Sequence, residues 1–176
     1  MRAVLAAVPL LILAAPTANA ATVTIPDEVG DIYSGPEISD IVEAQVRYSA
    51  KRLSISVTHS DWLWNWGRQK AGTGGVVTFG NGRSFVIVPN ITGRRSVLYT
   101  QKGFQNCPDG RSCALPCKGW RYWVDKDART TGVSLPVRCF GTTSSRVKVK
   151  PFHIVAQNGS QPVIDPIATS PWIARD

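Results

Sequence analysis

The sequence predicts an all-β protein, an antiparallel β-sandwich of the immunoglobulin-like or jelly-roll-like kind that is stapled by disulfides. Three observations lead to this fold class. Apolar and polar residues alternate with period two over many short segments, glycine and proline interrupt the chain frequently, and four cysteines follow a segment with the layout of an export signal. Alternation with period two is the pattern of a half-buried strand, and many short strands separated by turn residues are typical of a sandwich.

The first twenty residues have the three-part layout of a signal peptide. Arg2 supplies a positive start, residues 3–15 are apolar, and Pro16 precedes a small-x-small site that ends at Ala20. The apolar run is shorter than the roughly 20 residues that a membrane-spanning helix needs. We therefore expect residues 1–20 to be cleaved off. The mature chain is then secreted, has no transmembrane segment, and forms a single β-sandwich domain over residues 21–176.

The strand pattern is clearest in the first third of the mature chain. In residues 41–48 apolar side chains alternate with charged or amide side chains, and a second alternating run extends from Leu53 to His59. Two such runs joined by a short polar connection predict a β-hairpin. Another hairpin is predicted around Asn81-Gly82, because Asn-Gly is a strong turn signal between strands.

Short strands are also expected in the rest of the chain. They fall at residues 76–79, 84–88, 97–101, 120–124, 133–139 and 146–150. Pro136 lies within one of these runs and predicts an edge strand or a bulge there, because proline cannot donate a hydrogen bond to a neighbouring strand. No segment of the mature chain shows sustained helical periodicity.

The four cysteines predict disulfides. They are Cys107, Cys113, Cys117 and Cys139. An even number of cysteines in an exported chain is typical of a disulfide framework, and four cysteines allow three pairings. We prefer Cys107–Cys113, which closes a short turn, together with Cys117–Cys139, which ties the two ends of a hairpin. The spacing disfavours a zinc site, since no histidine lies among the cysteines.

Two segments resemble a known group of proteins. The first is residues 25–31 (Ile-Pro-Asp-Glu-Val-Gly-Asp), followed by Asp40-Ile41 and by the strand Leu53-x-Ile55-x-Val57. The second is residues 133–141 (Val-Ser-Leu-Pro-Val-Arg-Cys-Phe-Gly), leading into residues 146–149 (Arg-Val-Lys-Val). They resemble uncharacterised secreted proteins of actinobacteria with an immunoglobulin-like or DOMON/family-9 carbohydrate-binding-module-like sandwich. The resemblance implies a sandwich fold and agrees with a disulfide between Cys117 and Cys139. It implies no particular activity, because sandwiches host many functions.

The segment from Asp61 to Gly67 has an unusual composition. If it is extended, Trp62, Trp64 and Trp66 project from one face, and such an aromatic platform could bind a sugar ring. The other interpretation is that these side chains close one end of the core, since tryptophan is usually largely buried. The same two interpretations apply to Trp120, Tyr122 and Trp123.

The chain is basic, with 20 lysines and arginines against 12 acidic residues and a formal net charge of +8. A basic exported protein is attracted to anionic partners such as an extracellular glycan or a surface polymer. Arg146, Lys148 and Lys150 alternate along one strand face. This stripe could bind such a polymer, or it could protect an exposed strand edge from aggregation. Nucleic acid is not expected, because the aromatic interleaving of RNA-binding motifs is missing.

The sequence predicts no cofactor. Asp27, Glu28, Asp31 and Asp40 lie close together near the start of the mature chain, and such oxygen ligands could hold Ca²⁺. Their spacing matches no calcium-binding loop. We therefore prefer the interpretation that they are acidic residues of surface turns.

The sequence also indicates no catalytic machinery. Of the two histidines, His59 and His153, the first lies on the apolar face of its strand by alternation, as a core side chain would. No Gly-x-Ser-x-Gly nucleophile elbow occurs, and disulfides would remove the thiols from catalysis. We expect a secreted, non-catalytic binding protein for a surface glycan or cell-wall polymer. The alternatives are a secreted protein-interaction or inhibitor module that presents the Cys107–Cys113 loop, and an extracellular hydrolase.

Overall fold

The computed structural model describes residues 21–28, 40–60, 69–89, 97–107, 112–157 and 163–176. Within these ranges it contains eleven strands, one short α-helix and one 3₁₀ turn at Val137–Phe140. The elements are β1 (Ala21–Pro26), β2 (Ile41–Tyr48), β3 (Arg52–His59), β4 (Gln69–Phe79), β5 (Ser84–Val88), β6 (Val97–Thr100), α1 (Gln101–Asn106), β7 (Arg121–Asp125), β8 (Thr130–Pro136), β9 (Arg146–Gln157), β10 (Val163–Pro166) and β11 (Ile173–Ala174).

The strands form two antiparallel sheets that pack against each other, so the predicted antiparallel β-sandwich is confirmed. The first sheet has the order β1-β2-β3-β8-β7. The second has the order β10-β9-β4-β5-β6, and β11 pairs with β9 beside β10. The predicted hairpins are present as β2–β3 and β4–β5. Gly82 has a φ of 82° in the second turn, a conformation that glycine adopts without strain.

The core follows from the alternation along the strands. Inward side chains of both sheets are fully buried, which removes a large apolar area from water. Four aromatic rings pack edge to face or tilted at one end of the core, with centroid separations from 5.1 to 6.1 Å. Rings in such geometries stabilise each other beyond the area that they bury. These rings belong to Tyr48, Phe79, Phe85 and Phe140.

The sandwich has two different ends. At one end, here called the turn end, lie the tight β2–β3 and β4–β5 turns, the 3₁₀ turn and the start of β9. The Tyr48 hydroxyl donates to the Ser144 carbonyl at 2.7 Å across this end and ties the two sheets together. At the other end, here called the loop end, β3, β5 and β9 finish and β2, β4, β8 and β10 begin. The strands on either side of residues 29–39, 61–68, 90–96 and 158–162 therefore have their ends at the loop end, whereas β6 ends and β7 begins at the turn end.

One sequence prediction about local structure was wrong, and one element was missed. β8 lies between β3 and β7 and is not an edge strand. Pro136 is tolerated there because it is the last residue of β8, and β7 begins opposite Ser134, before that point. The short helix α1 was also not predicted. Its N-cap residue is Thr100, whose hydroxyl accepts a hydrogen bond from the Gly103 N–H at 2.9 Å.

Candidate functional site

Positive charge is concentrated at the turn end of the sandwich. Eleven described cationic residues lie on the turns, strand ends and helix of this end. Seven of the eight described Asp and Glu residues lie toward the loop end, and Asp176 is the exception. Lys126 and Arg129 are cations of the loop end. The eleven residues, called the basic end from here on, are Arg47, Lys51, Arg52, Arg83, Lys102, Lys118, Arg121, Arg138, Arg146, Lys148 and Arg175.

The centre of the basic end on the first sheet is a group of three arginines, the arginine cluster: Arg52, Arg121 and Arg138. Arg52 begins β3, Arg121 begins β7, and Arg138 lies in the 3₁₀ turn that follows β8. β8 separates β3 from β7 and ends beside the turn, so the sheet order brings the three side chains to one place. Arg121 and Arg138 are exposed to solvent, whereas Arg52 is half-buried.

Hydrogen bonds fix the side chain of Arg52, the half-buried member of the cluster. Its Nε donates to Ser134 Oγ at 2.7 Å, and its Nη2 donates to the carbonyl oxygens of Ser134 and Gly119 at 2.7 and 2.9 Å. Ser54 Oγ donates to Ser134 Oγ at 2.8 Å and supports this arrangement. The Arg52 guanidinium is therefore held in position without a bound ligand.

The disulfide Cys117–Cys139 supports the cluster from the other side, and it confirms the preferred pairing for these two cysteines. Each half-cystine has a cation as its sequence neighbour, Lys118 after Cys117 and Arg138 before Cys139. The covalent link, with a Cα–Cα distance of 5.2 Å, thus holds the backbones of Lys118 and Arg138 near each other. Gly119 follows with a φ of 92°, and a Cβ there would lie 3.6 Å from Arg138 Nη2.

When no anion is bound, the positive charges of the arginine cluster interact unfavourably with one another. Partial burial, followed by the positive charges of Arg121 and Arg138, lowers the pKa of Arg52 from the ordinary arginine value. Among the described residues, none of these three arginines has an ion-pair partner. Like charges held together without a counter-charge repel each other, and a bound anion would relieve this repulsion. The arrangement can therefore bind an anionic group.

On the outer face of the first sheet, a row of polar residues continues from the cluster. Arg47, Ser54, Ser134 and Arg121 form one row across four strands. In the next row the Trp123 ring lies against Gly132, where a Cβ would come within 2.2 Å of the ring. Trp123 therefore lies on the outer face beside Arg121, while Trp120 packs against the core and Tyr122 is 37% exposed. Of the two interpretations, core or ligand surface, Trp120 fits the first.

The predicted stripe of Arg146, Lys148 and Lys150 lies on the outer face of the second sheet. The intervening residues Val147 and Val149 are fully buried, as the alternation predicts. The interpretation as edge protection was wrong, because β9 pairs with β4 on one side and with β10 and β11 on the other. The stripe therefore lies on an interior strand, where no exposed edge needs protection.

Several predicted sites fall outside the described residues. They include the signal peptide at residues 1–20 and the tryptophans Trp62, Trp64 and Trp66. Of the predicted calcium ligands, Asp31 also lies outside, whereas Asp27 and Asp40 lie at the loop end next to β1 and β2. In the part of the chain that the structure describes, no group of three or more His, Cys, Asp and Glu side chains could hold a metal ion.

The remaining cysteines, Cys107 and Cys113, lie next to each other after α1. The Cys113 backbone N–H donates to Cys107 Sγ at 3.2 Å. The predicted disulfide between them stays a prediction. The prediction that His59 is a core residue is confirmed, since it is 2% exposed, and His153 is also buried.

Comparison with protein-family models, with curated proteins and with solved structures finds no significant match to this chain. No helix among the described residues is both long and apolar enough to cross a membrane. The resemblance to secreted actinobacterial sandwiches stays a prediction, and the function has to follow from the geometry of the chain.

Proposed function

We propose that this protein is a secreted, non-catalytic binding module that holds an anionic surface polymer at the basic end of the sandwich. The arginine cluster is the observation that carries the proposal. Arg52, Arg121 and Arg138 converge without an ion-pair partner among the described residues, and Arg52 is already fixed by hydrogen bonds. A binding surface ordered in advance loses less conformational entropy when the ligand binds.

The spread of the charges favours a polymer over a single small anion. Arg47 and Arg121 lie in one row across β2, β3, β8 and β7. Neighbouring strands are roughly 4.8 Å apart, so this row spans about 14 Å. Cations separated by this distance can contact successive charges of one extended chain. Between them lie Ser54, which is half-buried, and Ser134, which is buried and bonded to Arg52, so a third cation lies beside the same row.

Export is part of the proposal. The Cys117–Cys139 disulfide supports it, because such bonds persist in oxidising compartments outside the cytoplasm. The net positive charge supports it in a second way, since it would draw the protein toward anionic cell-surface polymers. Both features agree with the expected signal peptide at residues 1–20.

The proposal is tested by comparing two substitutions that change the net charge equally. Arg121→Gln removes a cation of the cluster, and Lys126→Gln removes an exposed cation of the loop end. Affinity for two anionic polymers, polygalacturonate and polyphosphate, is measured by calorimetry for both variants. We expect Arg121→Gln to weaken binding about fivefold and Lys126→Gln to leave it nearly unchanged, since an exposed charge contact contributes up to about 1 kcal/mol. Equal losses in the two variants contradict a site at the cluster.

The tryptophan platform predicted from the sequence is a second candidate contact for the polymer. Trp62, Trp64 and Trp66 belong to the chain that joins Ser60 to Gln69, and both of these residues lie at the loop end. If the platform contributes to binding, Trp64→Ala weakens the affinity for a glycan polymer. An unchanged affinity removes these tryptophans from the proposed contacts.

A further inference from the structure

Trp172 lies on the outer face of the second sheet, in contact with two cations of the basic end. The guanidinium carbon of Arg146 is 4.8 Å from the Trp172 ring centroid, and Lys148 Nζ is 5.0 Å from it. Trp172 is 41% exposed, which is unusual for so large an apolar side chain. Arg146, Lys148 and the exposed indole therefore form one surface that is both cationic and aromatic.

The backbone on both sides of Trp172 is anchored. The Ser170 N–H donates to the Val149 carbonyl at 2.8 Å, and the Val149 N–H donates to Ser170 Oγ at 2.9 Å. On the other side, Ile173 pairs with Val147 and is 1% exposed. Since successive side chains of a strand point to opposite faces, a buried Ile173 places Trp172 on the outer face, beside Lys148.

Hydroxyl groups extend this surface across the sheet. Lys148 pairs with Thr78, and Thr78 pairs with Ser84, so a row runs from Trp172 through Lys148 to two hydroxyls. Thr78 Oγ1 and Ser84 Oγ are 3.1 Å apart and share a hydrogen bond. At roughly 4.8 Å per strand, three steps give a row of about 14 Å. An aromatic ring, a cation and two hydroxyls thus follow one another along one row of the sheet.

We propose that this row, Trp172-Lys148-Thr78-Ser84 with Arg146 beside it, is a subsite for an acidic polysaccharide. The C–H face of a sugar ring would pack on the part of the indole that Arg146 and Lys148 leave exposed, its carboxylate or sulfate would pair with one of these two cations, and its hydroxyls would exchange hydrogen bonds with Thr78 and Ser84. This inference rests on the proposed function, because it names the class of anionic polymer that the basic end binds.

The combination of an indole, cations and hydroxyls favours an acidic polysaccharide over two other kinds of polymer, a polyphosphate and a neutral glycan. A polyphosphate carries the charge but has no apolar ring face for the indole. A neutral glycan has the ring face but gains nothing from the two cations. A polymer of acidic sugars matches the indole, the cations and the hydroxyls together, as in other sites that combine an aromatic surface with a few placed polar groups.

The experiment compares Trp172→Ala with Phe104→Ala. Phe104 is the matched control, because it is an exposed aromatic residue of α1 at the same end of the sandwich. Affinity is measured for polygalacturonate, polyphosphate and neutral dextran. We expect Trp172→Ala to weaken polygalacturonate binding about tenfold, the size of a typical aromatic packing contribution, and polyphosphate binding less than twofold. Phe104→Ala should leave both affinities unchanged, and dextran should not bind.

A spectroscopic readout keeps the inference testable if Trp172→Ala does not fold. The indole N–H resonance of Trp172 is identified as the signal that disappears in Trp172→Phe, and it should shift on addition of polygalacturonate but not of polyphosphate. An equal effect of Trp172→Ala on the two polymers, or an unshifted resonance with polygalacturonate, overturns the inference.

The two proposals fail in different ways. If Arg121→Gln binds both polymers like the wild type while Trp172→Ala loses polygalacturonate selectively, the arginine cluster is wrong and the Trp172 subsite stands. If Arg121→Gln weakens both polymers while Trp172→Ala changes neither, the cluster stands and the subsite is wrong. If the wild-type protein binds neither polymer, both are wrong.

Discussion

His59 and His153 lie in contact between the two sheets, with ring centroids 4.7 Å apart and ring planes inclined by 74°. They are the chain's two histidines, and they come from β3 of the first sheet and β9 of the second. Two threonines accompany them. His59 Nε2 is 3.2 Å from Thr131 Oγ1, and Thr131 Oγ1 is 2.7 Å from Thr73 Oγ1. A polar column therefore crosses the apolar interface near the loop end.

The column predicts that stability depends on pH. Burial, followed by the positive charge that His59 can carry, lowers the pKa of His153 well below its ordinary value of 6.5. Asp165, which pairs with His153 on β10, is the buried acidic neighbour. In the unfolded chain His153 takes up a proton near pH 6.5. Below that pH the unfolded state binds more protons than the folded state, so the free energy of unfolding falls as the pH falls, by up to about 1.4 kcal/mol per pH unit.

The measurement is a series of urea unfolding curves from pH 8 to pH 5 on the wild type and on His153→Phe. The phenylalanine keeps the ring and removes the titrating group. We expect the wild-type free energy of unfolding to be constant above pH 7 and to fall below pH 6.5, and the variant to lose much of this slope. Identical slopes in the two proteins contradict the assignment to His153.

A second prediction concerns the hydroxyl contact between Thr73 and Thr131, which joins β4 of one sheet to β8 of the other. Thr73→Val or Thr131→Val alone leaves a buried hydroxyl with one partner fewer, which costs about 1–3 kcal/mol. The double variant removes both hydroxyls and should lose less than the sum of the single losses. Urea unfolding at pH 7.5 measures all three. Strictly additive losses contradict the contact.

Much of the fold could be predicted from the sequence, because period-two alternation is a local property. Residues 41–48 and 53–59 indicated β2, β3 and their inward faces, and Asn81-Gly82 indicated the β4–β5 turn. The position of β8 between β3 and β7 could not be predicted, since strand order depends on contacts far apart in the chain. The helix α1 was missed because six residues give no helical periodicity, although the capping Thr100 was a usable signal.

The candidate site was harder to predict from the sequence than the fold was. Arg52, Arg121 and Arg138 are separated by many residues, and they meet because their strand ends share one end of the sandwich. One signal was available in advance. The preferred Cys117–Cys139 pairing already placed Lys118 near Arg138, as each follows or precedes a half-cystine. The concentration of acidic residues toward the loop end could not be predicted from the sequence, because it depends on which strand ends lie together.

A third prediction concerns the Cys117–Cys139 disulfide, which closes a loop with a sequence separation of 22 residues. The chain-entropy relation gives a stabilisation of about 3 kcal/mol for a loop of this length. The variant Cys117→Ser/Cys139→Ser should lose about this amount in urea unfolding, and its affinity for polyphosphate should fall, because Lys118 and Arg138 are no longer held together. A variant with wild-type stability and affinity contradicts both roles of the bond.

A fourth prediction concerns salt. If the arginine cluster binds charges of a polymer, affinity falls as ionic strength rises, since mobile ions screen exposed charges and are released on binding. In a plot of log affinity against log salt, Arg121→Gln/Arg138→Gln should have a shallower slope than the wild type. The single variant Lys126→Gln should keep the wild-type slope. Parallel lines for the wild type and the double variant would show that the cluster makes no charge contact.

The last prediction concerns Cys107 and Cys113. The Cys113 backbone N–H reaches Cys107 Sγ at 3.2 Å, and the Ser112 hydroxyl lies 3.5 and 3.7 Å from the two sulfurs. Both sulfurs thus lie beside the same hydroxyl, which agrees with the disulfide predicted from the sequence. In protein recovered from an oxidising compartment, peptide mapping by mass spectrometry without reduction should find a Cys107–Cys113 link beside Cys117–Cys139. Recovery of Cys107 and Cys113 as thiols from that compartment, with Cys117–Cys139 intact, contradicts the second disulfide.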